Sequence, residues 1–507
     1  MHSLLESSVL TRRRVMQGTA ALAASLFLPG CGLSTGPAAS VAPPTDTNLN
    51  PQPEPNGPVT AASLIVTDTV TAAIGPAFAG LSYEKSNIYE SVFTASNSDL
   101  IGLFKRLGPS LLRIGGSSVD QTVWTPNGPG RTHGQVAPSD VDSLAAFVKT
   151  AGWQCLYGVN LGGAATGATT PTLAAAEVAY AAKQLGSSLL GIEIGNECDG
   201  YGSAGSYFAG NWSLSQFLTL WGQFRSAILD ATPSASITGP ASSSHEATWT
   251  VPFGEAVTKS EITLLTQHYY RADGQSPTST ETFLITPDLG LIANLAILKT
   301  GAESIGVPYR MSECNSFWNG GASGVSDSYA SSLWAIDYLF NCAQGGASGV
   351  NFHGGGDGPG YTPIAEAGSV IAARPEFYGV LFFTLVGQGA LYATQLSAGS
   401  LNVTAYAVKP SSGGLNLVVV NKDLTENLQL TMQLPQSANS ATLIAMNQLT
   451  RGATGPELSA TSGVTIQGAA VNSDGTFFPS APYRLSPSGS QLTCYVPALS
   501  AVLIQIA

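Results

Sequence analysis

Two glutamates stand where a carboxylate could do chemistry: Glu197 in LLGIEIGNECDGY (189–201) and Glu313 in PYRMSECNSFWNGG (308–321). Each closes an apolar run, so each is expected at the carboxyl end of a buried strand, the place where barrel enzymes build their sites. Two carboxyl groups sharing one site can cleave an acetal. One protonates the departing oxygen while the other attacks the carbon or activates water, because the transition state resembles an oxocarbenium ion. A spacing of roughly 5–5.5 Å gives a covalent intermediate and retention, whereas about 6.5–9.5 Å leaves room for water and gives inversion. A single glutamate at a strand end is usually just a surface carboxylate. Glu197 has more behind it, since Asn196 precedes it, Asp199 follows closely and Glu193 shares its strand.

Positioning such a pair takes a rigid frame, and the sequence supplies one. Eight short apolar, non-alternating runs recur between residues 77 and 355: AFAGLSYE, LLRIGG, QCLYGVNL, LLGIEIGNE, SITGPASS, LLTQHYY, PYRMSECNS and GVNFHGG. Runs of this kind suit strands of a parallel sheet covered on both faces. The stretches between them, such as 138–152, 173–186 and 214–231, carry apolar residues at three and four spacing, as amphipathic helices do. Ser139-Asp140 gives one of them a start signal. Eight such units across 75–375 predict a (β/α)8 TIM barrel, whose usual size is about 250 residues. A doubly wound open sheet is the alternative, but it needs a Gly-rich phosphate loop after the first strand, and Gly80-Leu81-Ser82-Tyr83-Glu84 is not one. Beyond residue 375 short alternating stretches appear between Gly, Ser, Pro and Asn clusters, which predicts an appended C-terminal antiparallel β-sandwich over 376–507. SLIVTDTV alternates in the same way, so 61–74 is expected to join that sandwich.

Composition narrows the classes. The 507 residues are only 10% charged and carry a formal net charge of −12. Residues 1–30 read as an export signal of twin-arginine type, TRRRVMQ followed by an apolar run shorter than the roughly 20 residues a bilayer needs. LPGC ends that run as a lipobox, making Cys31 the expected lipidation site and a lipid anchor there the expected membrane contact. Removing this leader takes away three arginines and one glutamate, which leaves a still more acidic chain that repels nucleic acid. The predicted location is periplasmic or cell-surface, otherwise secreted. Residues 31–60, rich in Pro, Ser, Thr and Asn, read as a disordered tether. The remaining cysteines show no CxxC pair and the histidines no H-E-x-x-H, so no metal site and no cofactor is expected. GLSTG (32–36) fits a serine-hydrolase pattern, but it lies in the tether with no strand before it.

The Asn-Glu pair ending strand four and the Ser-Glu-Cys-Asn run ending strand seven resemble the clan A retaining glycosidases. SYEKS (82–86), LRIGG (112–116), GNECDGY (195–201), SECNSFWNGG (312–321) and NFHGGG (351–356) together resemble glycoside hydrolase family 79, the β-glucuronidase and heparanase group, over about residues 61–507. The resemblance implies a carbohydrate substrate, with Glu197 as acid/base, Glu313 as nucleophile and Asn196 on the sugar 2-hydroxyl. Tyr269 is expected to donate to the nucleophile, with Tyr270 as the adjacent alternative. Gly320, Gly321 and Tyr361 match positions that hold a uronate carboxylate, and Trp318 stands where a tyrosine is expected. His353 is a predicted sugar contact, Glu84 a predicted hydroxyl ligand, and Arg113 a prop beneath the nucleophile. Three functions follow: an exo-acting β-glucuronidase; a β-glucosidase or heparanase-like endo-enzyme of the same fold; or a surface lipoprotein that binds glycans without cutting them.

Overall fold

The computed structural model describes residues 49–257, 259–356, 360–367, 370–449 and 455–507. The expected export signal, the expected lipobox and Cys31 lie outside them.

All eight apolar runs are strands, and they close into one parallel barrel: Ala79–Glu84, Leu111–Gly115, Gln154–Val159, Leu189–Ile194, Ile237–Ser242, Leu264–Asp273, Tyr309–Trp318 and Val350–Gly354. The eighth strand pairs with both the seventh and the first, which completes the closure. The second and fifth strands are buried along their whole length, which accounts for runs with no polar alternation. The helices between them are fixed by local chemistry. Thr170, Ser213 and Asp288 each accept a hydrogen bond from the backbone N–H three residues on, satisfying a donor that the first turn leaves open. Helix Pro138–Ala151 starts on a proline and stops at Gly152, whose φ of 74° suits a residue without Cβ.

The sandwich region is a ten-stranded, mainly antiparallel sheet that includes Val59–Ile74. That N-terminal strand pairs antiparallel with Gly389–Ser397 and parallel with Asn427–Gln433, so it sits inside the sheet. The sheet curls over an apolar core of its own, in which Leu64, Leu430 and Val496 meet Leu443 and Ile504. The expected tether ends earlier than residue 60. Gln52 exchanges side-chain hydrogen bonds with the Tyr495 backbone, and Asn50 accepts from the Arg484 N–H. These amide contacts dock the last ten or so residues of the Pro-rich stretch on the sheet, whatever their low apolar content suggests.

Candidate active site

The fourth and seventh strands bring Glu197 and Glu313 to one end of the barrel. A carboxylate oxygen of each and a ring nitrogen of His268 all lie within 4.8 Å of one another. The His268 Nδ1 is 3.3 Å from Glu197 Oε1 and 3.8 Å from Glu313 Oε2, so this buried imidazole sits between the two acids. Its place follows from register, since Glu313 on the seventh strand lies beside His268 on the sixth.

Glu313 is held by its side chain. Arg113 Nη1 donates to Oε2 at 2.7 Å and the Tyr270 hydroxyl donates to Oε1 at 2.8 Å. Burial alone raises a carboxyl pKa, but His353, His268 and Arg113 outweigh it and hold Glu313 well below the usual carboxylate range. It is therefore an ionised group with its lone pairs already directed. Arg113, fully buried on the second strand, also donates to Glu193 at 2.6 Å, to Asn196 Oδ1 at 2.9 Å and to Ser82 Oγ at 3.3 Å. Burial opposes its charge, and Glu193 and Glu313 more than offset that, so its pKa is raised. One guanidinium thus ties together strands one, two, four and seven. Two carboxylates and an imidazole could also ligate a divalent cation, but the Arg113 charge and the Tyr270 donor already occupy Glu313, which disfavours that use.

Tyr269 is not the residue that donates to the nucleophile. Successive strand residues point to opposite faces; His268 and Tyr270 face the site, while the Tyr269 hydroxyl donates to Asp288 at 2.8 Å and its ring stacks on Tyr338 in the helix layer. Tyr270, the adjacent alternative, takes that role, and His268 is the site residue that sequence reading left out. The signal that finds His268 and selects Tyr270 over Tyr269 is the two-residue phase of the strand, once one inward residue is known.

On the eighth strand, His353 Nδ1 lies 3.0 Å from Ser82 Oγ and Nε2 lies 3.6 Å from Glu84 Oε1. Burial works against charge on this ring, and Glu313 and Glu84 together raise its pKa above the ordinary value. The Glu84 carboxylate is itself engaged, accepting from the Ser117 and Ser118 N–H groups and from the Ser118 hydroxyl. Burial would raise its pKa, but His353 and Ser118 lower it. Tyr361 lies beside Tyr270 and His353, with ring centroids 5.7 and 6.0 Å away. Its N–H donates to the Gly320 carbonyl, and a Cβ on Gly321 would fall 2.6 Å from the same nitrogen, so the glycine pair and Tyr361 form one close-packed wall. Trp318 ends the seventh strand and is exposed. Trp124 and Phe317, by contrast, are buried in the core.

Glu197 differs from Glu313 in what holds it. Its backbone is left-handed, φ 50° and ψ 45°, a conformation that costs a non-glycine residue on the order of 1 kcal/mol or more. Its side chain is 25% exposed against 7% for Glu313, which leaves the Glu197 carboxyl the more open of the two to solvent.

No protein-family model matches the chain. A β-glucuronidase of Aspergillus niger is 22% identical over 394 residues, covering 70% of this chain and 71% of that protein. Among solved structures, a 4-O-α-L-rhamnosyl-β-D-glucuronidase of Fusarium oxysporum 12S superposes with a TM-score of 0.70 at 18% identity, over 87% of this chain and all of that one. A family 51 arabinofuranosidase of Xanthomonas axonopodis pv. citri gives 0.64 at 16%, over 88% of this chain and all of its own. Barrel, appended sheet and relatives define the class: the chain shares the fold of the clan A glycosidases and is similar in sequence to a glycoside hydrolase. Within that class its resemblance is to family 79, the β-glucuronidase and heparanase group.

Proposed function

We propose that the chain is an exo-acting β-glucuronidase working by double displacement, with Glu313 as nucleophile and Glu197 as acid/base. The observation that carries this reading is the convergence of the two carboxylates to within 4.8 Å, oxygen to oxygen. That spacing suits direct attack and leaves little room for an intervening water. In the first step a Glu313 oxygen bonds to the anomeric carbon as the glycosidic C–O bond breaks, and the Glu197 proton goes to the departing oxygen. In the second, Glu197 takes a proton from water, the water oxygen bonds to the same carbon, and the Glu313 carboxylate leaves. Arg113 and Tyr270 suit Glu313 to the nucleophile role because they favour its anion in place and orientation. Asn196 has its carbonyl oxygen taken by Arg113, so its amide N–H is what it offers the 2-hydroxyl.

The glucuronide preference draws support from the two glucuronidase relatives and from the wall of Gly320, Gly321 and Tyr361, whose backbone and hydroxyl groups suit a carboxylate. A β-glucosidase is the second reading, favoured by Trp318 at the mouth, since an indole donates a hydrogen bond but accepts none. A panel of p-nitrophenyl β-glycosides separates the two: faster turnover of the glucuronide supports the first, and a glucoside preference overturns it. Proton NMR of the fresh reaction should show the β-anomer of the sugar appearing first; an α-anomer would remove the double displacement. On the leader sequence we further propose an exported lipoprotein. Palmitate labelling lost in Cys31→Ala supports it, and labelling of neither form rejects it.

A further inference from the structure

Glu197 sits in a turn that its own sequence does not favour, and the neighbouring loop holds it there. The Glu197 N–H donates to the Ala241 carbonyl at 2.7 Å, at the end of the fifth strand. Two residues on, the Asp199 carboxylate, 1% exposed, reaches the loop that follows the same strand. It accepts from the Ser243 N–H at 2.9 Å, the Ser243 hydroxyl at 3.0 Å and the Ser244 N–H at 3.1 Å, and His245 Nδ1 lies 3.0 Å away. The Gly200 N–H donates back to the Glu197 carbonyl at 2.9 Å, so Asp199 and Glu197 share one tight turn. Strained backbone persists only where its surroundings over-determine it. Here both anchors come from one neighbouring strand end, and Asp199 supplies most of their hydrogen bonds.

We propose that Asp199 is a positioning residue for the acid/base: by latching the turn after strand four to the loop after strand five, it holds Glu197 in the left-handed conformation that aims its carboxyl at the glycosidic oxygen. Asp199 touches no substrate in this scheme and acts through the backbone. The inference rests on the assignment of Glu197 as acid/base. It has a signature that a purely structural role lacks: losing the latch should hurt reactions that need a proton on the leaving group and spare those that do not.

The test compares kcat/KM, which reports the first displacement, for phenyl and 2,4-dinitrophenyl β-glucuronides in wild type, Asp199→Asn and Glu197→Ala, using β-glucosides instead if wild type prefers them. Asparagine keeps the shape of the side chain but turns an NH2 towards backbone N–H donors. The expected result for Asp199→Asn is a loss of about 10- to 100-fold on the phenyl glycoside, part of the roughly 100- to 10,000-fold that a general acid supplies. On the dinitrophenyl glycoside the loss should stay within about 3-fold. Equal losses on both substrates, or none, overturn the latch while Glu197→Ala still shows its leaving-group dependence. If Glu197→Ala shows no such dependence, the acid/base assignment fails first and the latch falls with it. Should Asp199→Asn not fold, Ser243→Ala removes one donor and keeps the backbone pair. It should show the same selectivity at about 3-fold on the phenyl glycoside, and a uniform effect there also rejects the proposal.

Discussion

The two sides of the barrel mouth are built on different plans. On the strand-seven side, Glu313 is gripped through its carboxylate by Arg113 on one oxygen and Tyr270 on the other, with His268 and His353 nearby. On the strand-four side, His268 is the hydrogen-bonding neighbour of the Glu197 carboxylate among the described residues, and the order lies in its backbone, held by Ala241 and by the turn that carries Asp199. The contrast fits the division of labour proposed above. A nucleophile needs one charge state and one place, whereas an acid/base must gain and lose a proton in every turnover, which a carboxylate fixed by strong donors does poorly.

Removing either kind of support should fail differently. Glu313→Ala is the largest break: turnover should fall by at least about four orders of magnitude on every glycoside, activated or not, and appreciable activity on the dinitrophenyl substrate would show that Glu313 is not the attacking group. Arg113→Met leaves Glu193 and Glu313 buried with their shared cation gone. Stability in a denaturant titration should drop by about 3–5 kcal/mol, and the acid limb of kcat/KM should move to higher pH because the Glu313 pKa is no longer held down by that charge. An unmoved limb would mean the histidines alone set it.

Tyr270→Phe should lower kcat by about 10- to 100-fold, the value of one hydrogen bond to a buried charge. Tyr269→Phe should leave kcat within about 2-fold and cost about 1 kcal/mol of stability through Asp288; the reverse ranking would restore the phase read from sequence. The smallest effect on catalysis concerns Glu376, buried at the start of helix Pro375–Val386, where burial raises its pKa to about 8 and the Asn315 amide partly offsets that by donating to it at 3.1 Å. The folded chain keeps this proton to higher pH than the unfolded chain. Stability should therefore decline as pH rises from the ordinary carboxylate range through about 8. Glu376→Gln should flatten that slope in pH-dependent melting with little change in kcat, and a slope that survives assigns it elsewhere.

Most of the frame was legible because it is written in pattern. The eight barrel strands, the helices between them and the N-terminal strand of the sandwich all follow from apolar runs and their spacing, since burial on both faces or on one leaves different periodicities. Glu197 and Glu313 stood out because a charged residue closing such a run is costly without a use. The failures have physical causes too. LLTQHYY is buried at nearly every position, so nothing in it marks which residues face inward, and the choice fell on Tyr269 when Tyr270 points to the site. His268 lies in the same run, where nothing in the local pattern separates it from a core residue. The ties from Arg113 to Glu193 and from Asp199 to Ser243 join separate strands or loops, and no local pattern records them. The ordering of Gln52 escaped notice for the same reason, since its partner Tyr495 is 443 residues away.

The central claim is that residues 197 and 313 act on opposite sides of one anomeric carbon, and trapping tests it most directly. A 2-deoxy-2-fluoro glycosyl fluoride of the preferred sugar, incubated with wild type and analysed by peptide mass spectrometry, should leave one covalent sugar on Glu313 and none in Glu313→Ala. An adduct on Glu197, or a reaction that proceeds with inversion and leaves no adduct at all, would contradict the account.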